Sequence, residues 1–183
     1  VYNETYHSEV PSTEILYALI HDLSEDSKIF QQLRDVKEFD PKTLSLVSNN
    51  NVWEAYQDCS RVGEVYLTAF DGVKEANEKG MFIINTAGEF EGKLNADLEF
   101  DIQPHSMISM LMIDKAVGEI DQRVRDGINV SVNCRMGMER SALVIAKYLE
   151  DIHGMTMDQA YFHLMSIRPI VLDRRSWIEG ELY

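Results

Sequence analysis

The chain has 183 residues, enough for one domain with a sizeable core, and its 45% apolar and 26% charged residues are the ordinary balance of a globular protein. Seventeen basic against 31 acidic side chains give a net charge of −14, a field that disfavours nucleic acid and anionic membrane surfaces as partners. Only two cysteines are present, Cys59 and Cys134, too few for a disulfide framework and without histidines at the spacing a structural zinc site would need, so a reducing, cytoplasmic setting is expected.

The chain opens on Val1 rather than Met, as a trimmed fragment would. Val1 to His7 lack the basic start and apolar stretch of a secretory signal. Ser12 to Leu23 and Ser27 to Val36 each carry apolar residues at helical spacing, and Asp40-Pro41 breaks the pattern. Ser48-Asn49-Asn50-Asn51 then reads as a turn. Residues 1–60 are therefore expected to form a helical N-terminal extension packed on a main domain over 61–183. Its expected role is packing, with substrate recognition as the alternative.

From Gly63 the pattern alternates between strand and helix. Glu64 to Phe70 is rich in strand formers, Gly72 to Lys79 is a short polar helix, and Met81 to Thr86 is an apolar run expected of a buried strand. Asp97 to Ile102 is a further short strand. Ser106 to Asp126 places Ile108, Leu111, Met112, Val117, Ile120 and Val124 at helical spacing, and Met107, Met110 and Met112 are expected to pack a core. Ile128, Val130 and Val132 alternate as a strand does. Ser141 to His153 is an apolar-faced helix stopped by Gly154, and Thr156 with Gln159 makes a capping box for a last helix closed by Pro169. The sum is an α/β fold, a central sheet flanked by helices.

The chemistry gathers where the Ile128–Val132 strand runs into Asn133-Cys134-Arg135-Met136-Gly137-Met138-Glu139-Arg140-Ser141 and a helix follows at once. Strand, tight loop and helix in that order aim backbone N–H groups and a helix N-terminus at one point, which suits a phosphate. Gly137 stands mid-loop, where the backbone needs a conformation closed to other residues. Arg140 can turn its planar fork onto two phosphate oxygens. Cys134 opens the loop, so its sulfur lies under that phosphate, and the same amides favour its thiolate. Cys134 and Arg135, Met136, Gly137, Met138, Glu139 and Arg140 thus form a candidate phosphate-binding loop.

Cys134-x5-Arg140 followed by Ser141 resembles the signature of cysteine-dependent protein tyrosine phosphatases, and its flanks resemble the dual-specificity branch. The likeness runs from about Gly63 to Arg175 and includes Val65-Tyr66-Leu67, Phe82-Ile83-Ile84-Asn85-Thr86-Ala87, Ser141 to Leu149 and Arg168-Pro169-Ile170-Val171. The resemblance implies a protein tyrosine phosphatase-like fold and a two-step mechanism that passes through a phosphocysteine. Cys134 would be the nucleophile, Arg140 and the loop amides the phosphate clamp, and Ser141 the hydrogen-bond donor that helps the thiolate leave. A general acid must protonate the leaving oxygen; in the family it is an aspartate about thirty residues before the cysteine, so the resemblance points to Asp101, with Asp97 in reserve. No cofactor or metal is required. The implied partner is a phosphorylated protein substrate.

Two positions depart from the family. Asn133 stands where a histidine usually precedes the nucleophile, and Glu139 stands where a small or neutral residue usually precedes the arginine. Asn can hydrogen-bond but brings no positive charge. An inward carboxylate would repel phosphate and raise the thiol pKa, although Arg135 could offset it. The nucleophile, clamp and candidate acid all remain, so a slow but active phosphatase for phosphotyrosine, and for phosphoserine or phosphothreonine, is the expectation. The alternative is a catalytically weak or inactive pseudophosphatase that binds phosphorylated partners. A phosphoinositide or other non-protein phosphate is disfavoured because Arg135 to Glu139 contains no lysine.

His105, His153, His163, Trp53, Trp177 and Cys59 are read as surface, packing or inert residues.

Overall fold

The computed structural model describes residues 36–48 and 53–179, and the chain divides into two compact units, Val1–Phe39 and Asp40–Tyr183. The helices expected at Ser12 to Leu23 and Ser27 to Val36 lie outside the described residues, apart from Val36.

The centre of the second unit is a five-stranded sheet in the order β1-β2-β5-β3-β4. These strands are β1 (Ser45–Leu46), β2 (Val65–Thr68), β3 (Phe82–Asn85), β4 (Leu98–Glu99) and β5 (Val130–Asn133). β1 runs antiparallel to β2, and the other pairings are parallel. The first strand therefore comes from residues that the sequence pattern had grouped with the N-terminal extension. Val47 and Tyr56 likewise sit in the core of this unit, at 0% and 1% exposure.

β5 is the middle strand and is buried along its whole length, which is why it reads as Val-Ser-Val-Asn without a solvent-facing charge. Thr68 of β2 and Asn85 of β3 both stand opposite Asn133 of β5. The three parallel strands thus end in line, and the loops that follow them converge on one edge. Open parallel sheets place their ligands at that edge.

Four helices flank the sheet among the described residues: α1 (Val73–Glu78), α2 (Met107–Arg125), α3 (Arg140–His153) and α4 (Met157–Ile167). α3 is the core helix. Ala142 to Ala146, Tyr148 and Leu149 are all fully buried, and a helix covered on most sides tolerates apolar residues nearly all round. It closes at Gly154, while α4 begins with the expected capping box: Gln159 N–H donates to Thr156 Oγ1 at 3.1 Å and Thr156 N–H to Gln159 Oε1 at 2.9 Å. Such a cap contributes about 1 kcal/mol. α1 lies in a second, smaller cluster with Val73, Ala76, Met81 and Ile83.

α2 corrects the sequence expectation. Its buried face is Ser109, Ile113, Ala116, Val117, Ile120 and Val124, whereas Met107, Ile108 and Leu111 are 67%, 65% and 70% exposed. Two small residues, Ser109 and Ala116, let the helix approach the core, and this turns the large side chains of its first turns outward. No helix among the described residues is long and apolar enough to cross a membrane.

Candidate active site

β5 delivers the chain to Cys134, the loop runs to Glu139, and α3 starts at Arg140. The concave side of the loop is an open pocket lined by Cys134, Arg135, Met136, Met138, Glu139 and Arg140. Cys134 is only 2% exposed, and its sulfur accepts a hydrogen bond from Ser141 Oγ at 3.1 Å. Burial by itself raises a thiol pKa. Here the Ser141 hydroxyl and amide, the Arg140 charge and the Glu139 amide outweigh burial and hold Cys134 below its ordinary value. Gly137 has φ +66°, and a Cβ there would lie 2.6 Å from the Thr68 carbonyl oxygen and 2.7 Å from Arg168 Nη2. Both the backbone conformation and the space exclude any other residue.

Arg140 is held by a residue that sequence reasoning missed. The turn after β3, Gly88–Phe90, brings Glu89 across, and its carboxylate accepts from Arg140 Nη1 at 2.7 Å and Nη2 at 2.6 Å. This hydrogen bond holds the Glu89 carboxyl down at about 2. The pair occupies the Nη1–Nη2 edge of the guanidinium and leaves the Nε–Nη2 edge open. Next to it, Phe90 stacks on Phe70 with ring centroids 4.6 Å apart, and Phe70 N–H donates to the Arg135 carbonyl at 3.1 Å. The turns after β2 and β3 are thereby tied to the loop after β5.

Asp101 reaches this neighbourhood through Gly88. A Cβ on Gly88 would stand 2.6 Å from the Asp101 carboxyl carbon, so the carboxylate rests against the glycine beside Glu89. Phe100 and Ile102 are buried on either side, which turns Asp101 outward, and Gln103 Nε2 donates to its Oδ1 at 2.8 Å. Asp97 sits differently. Its carboxylate accepts from the Ile83 amide at 2.8 Å while its own N–H donates back to the Ile83 carbonyl at 2.9 Å, so it serves the edge of the sheet.

Asn133 and Glu139 both have side-chain partners. The Asn133 side chain is fully buried and donates to Asn85 Oδ1 at 3.2 Å, while Asn85 also bonds Ala87 N–H and C=O at 3.0 Å. Asn133 is thus linked to the start of the turn that carries Glu89. Glu139 does line the pocket, but Arg174 Nη2 lies 3.5 Å from its carboxylate, and Arg174 was not singled out by sequence. Among the described residues no group of three or more His, Cys, Asp or Glu side chains is placed to hold a metal ion.

Residues 81–180 match the family model "Dual specificity phosphatase, catalytic domain". The chain belongs to the dual specificity phosphatase family. It is similar to dual specificity protein phosphatase 1 of Arabidopsis thaliana, with 37% identity over 68 residues, which is 37% of this chain and 34% of that protein. The chain thus spans 34% of the length of that relative. Among solved structures, human DUSP28 superposes with a TM-score of 0.56 at 17% identity, covering 76% of this chain and 89% of that one. Kinase associated phosphatase gives 0.58 at 16% identity, with 76% and 92% covered. At these identities the structural likeness establishes the fold: an α/β phosphatase fold with a central sheet flanked by helices.

Proposed function

We propose that this chain is a cysteine-dependent protein phosphatase acting on phosphotyrosine, and on phosphoserine or phosphothreonine, in proteins. The observation that carries the reading is the Ser141 hydroxyl on the Cys134 sulfur at the floor of a loop that closes on Arg140. A small hydroxyl donor under a thiol kept below its usual pKa suits a sulfur that must be a nucleophile in one step and a leaving group in the next.

In the first step the Cys134 thiolate attacks phosphorus. A P–S bond forms as the bond from phosphorus to the substrate oxygen breaks, and Asp101 gives its proton to that leaving oxygen. The free edge of Arg140 and the loop amides from Arg135 to Arg140 hold the three remaining oxygens. In the second step the Asp101 carboxylate takes a proton from water, the water oxygen attacks phosphorus, and the P–S bond breaks to return thiolate and inorganic phosphate. Ser141 donates to the departing sulfur. The chemistry calls for no metal or other cofactor. The setting is read as cytoplasmic, and the partner is the phosphorylated protein.

A second reading is favoured by Asn133 and Glu139: a weak or inactive pseudophosphatase that binds phosphorylated partners without turning them over. Asn133 brings no charge near the sulfur, and Glu139 brings a negative one to the pocket. Incubating the protein with phosphotyrosyl and phosphoseryl peptides, with and without Cys134→Ser, separates the two. Phosphate release that depends on Cys134 supports the enzyme. Peptide binding without release supports the binding module.

A further inference from the structure

Arg168 is the largest fully buried side chain among the described residues, with 0% exposure, and it lies directly behind the loop. Burial lowers its pKa to about 10, which still leaves it charged at neutral pH. It follows α4, to which its amide is tied through the Leu164 carbonyl at 2.9 Å. Its guanidinium then spreads between the loop and the Pro41–Ser45 segment, and Nη1 also reaches the Leu67 carbonyl of β2 at 3.4 Å. Nε donates to the Gly137 carbonyl at 2.8 Å and Nη2 to the Met136 carbonyl at 2.8 Å. On the other side Nη2 reaches the Pro41 carbonyl at 2.6 Å, and Nη1 reaches the Thr43 carbonyl at 2.9 Å and Ser45 Oγ at 3.1 Å.

The geometry of a peptide bond turns these contacts into a statement about the pocket. In a planar trans peptide the C=O of one residue and the N–H of the next point in opposite directions, and none of the described peptides is cis. Carbonyls of Met136 and Gly137 that face Arg168 oblige the amides of Gly137 and Met138 to face away from it, toward the side of the loop where the pocket opens. Gly137 makes the arrangement possible, because a Cβ there would lie 2.7 Å from Arg168 Nη2.

We propose that Arg168 is a positioning residue: by gripping the carbonyls of Met136 and Gly137 from behind, it aims the amides of Gly137 and Met138 at a bound tetrahedral oxyanion. The inference rests on the reading of the loop as a phosphate site. It also gives Pro41, Thr43 and Ser45 a part in that site, since one guanidinium holds them and the loop together. A lysine cannot reproduce it, because the donors of an ammonium all sit on one nitrogen, whereas Arg168 meets these acceptors from Nε, Nη1 and Nη2.

The test uses 15N-labelled full chain titrated with tungstate, comparing wild type with Arg168→Lys and Arg168→Met and using thermal unfolding to check that each is folded. In wild type the Gly137 and Met138 amide resonances should move on tungstate binding. In a folded Arg168→Lys, affinity for tungstate should fall roughly tenfold or more and those two shifts should shrink, with a larger loss in Arg168→Met if that variant folds. Folded Arg168→Lys with wild-type affinity and wild-type shifts overturns the inference. So does a wild-type protein whose Gly137 and Met138 amides ignore tungstate while Cys134 is protected by it from alkylation. Tungstate binding with these shifts but no hydrolysis of phosphopeptides sinks the enzyme reading instead and leaves the role of Arg168 standing.

Discussion

Glu89 and Arg140 meet edge to edge across the mouth of the loop, with both carboxylate oxygens on the two terminal nitrogens of the guanidinium at 2.6 and 2.7 Å. One comes from the turn after β3 and the other from the first residue of α3, so the contact fixes the guanidinium to the sheet rather than to its own flexible stem. The Arg140 side chain is 19% exposed, and the pair leaves its Nε side free.

Glu89→Gln should therefore weaken oxyanion binding. Losing one charged hydrogen-bond partner lets the guanidinium swing, and KM for an aryl phosphate should rise several-fold, within about tenfold, with a smaller effect on kcat. The pH dependence follows from the sign of the shift. A carboxyl lowered to about 2 in the folded chain adds its stabilisation above the ordinary carboxyl range and loses it as pH falls toward 2. Solvent screening keeps that contribution small. Steady-state kinetics decide the main point, and tighter binding in Glu89→Gln would show that Glu89 competes with phosphate instead of orienting Arg140.

Ser141→Ala removes the hydroxyl from the Cys134 sulfur. Iodoacetate alkylation of Cys134 should become half-maximal at a higher pH than in wild type, because one of the groups that lower the thiol pKa is gone. Turnover should slow in the second step, so a burst of phenol release should precede a steady state reduced on the order of tenfold. An unshifted alkylation midpoint and no burst would remove Ser141 from the account.

Gly88→Val tests how Asp101 is seated. The added side chain would meet the Asp101 carboxyl at about 2.6 Å and must push it off the turn. Leaving groups that need a proton should suffer most. Hydrolysis of an alkyl phosphate should drop on the order of 100-fold while that of a nitrophenyl phosphate drops far less. Asp101→Asn should reproduce the pattern. Equal losses on both substrates would point to a damaged fold rather than a displaced acid.

Glu139 and Arg174 form a charge pair at the pocket rim, at 3.5 Å and with each side chain 35% exposed. Arg174→Ala leaves a bare carboxylate facing the phosphate, and KM should rise a few-fold, roughly the size of a partly exposed ion pair. Glu139→Gln should lower KM by a similar factor, and both effects should fade in high salt. KM values unchanged at low ionic strength would mean that Glu139 does not sense the bound phosphate.

Much of this arrangement was legible in the sequence because it is local. Cys134, Gly137, Arg140 and Ser141 lie within eight residues, so a strand, a loop and a helix suffice to bring them together. The stops at Gly154 and the Thr156–Gln159 box are equally local. The partners that arrive from elsewhere were not legible. Glu89 and Arg174 look like ordinary surface charges until the turn after β3 and the C-terminal segment fold onto the loop. Arg168 stands in the sequence only as part of a resembling segment, since nothing in the neighbouring residues announces side-chain hydrogen bonds to Pro41, Thr43, Ser45, Leu67, Met136 and Gly137. The face of α2 was misread for a different reason. Counting large apolar residues favoured Ile108 and Leu111, while the small residues Ser109 and Ala116 decide which side packs closest.

Phosphoryl transfer by the loop through Cys134 is tested most directly by trapping. The protein is mixed with a 32P-labelled phosphotyrosyl peptide, quenched in acid within milliseconds and assayed for label retained on the chain, in wild type, Cys134→Ser and Ser141→Ala. Acid-stable, thiol-linked label should appear on wild type, more of it on Ser141→Ala and none on Cys134→Ser. Phosphate release without label on Cys134, or release that survives Cys134→Ser, would contradict transfer through Cys134.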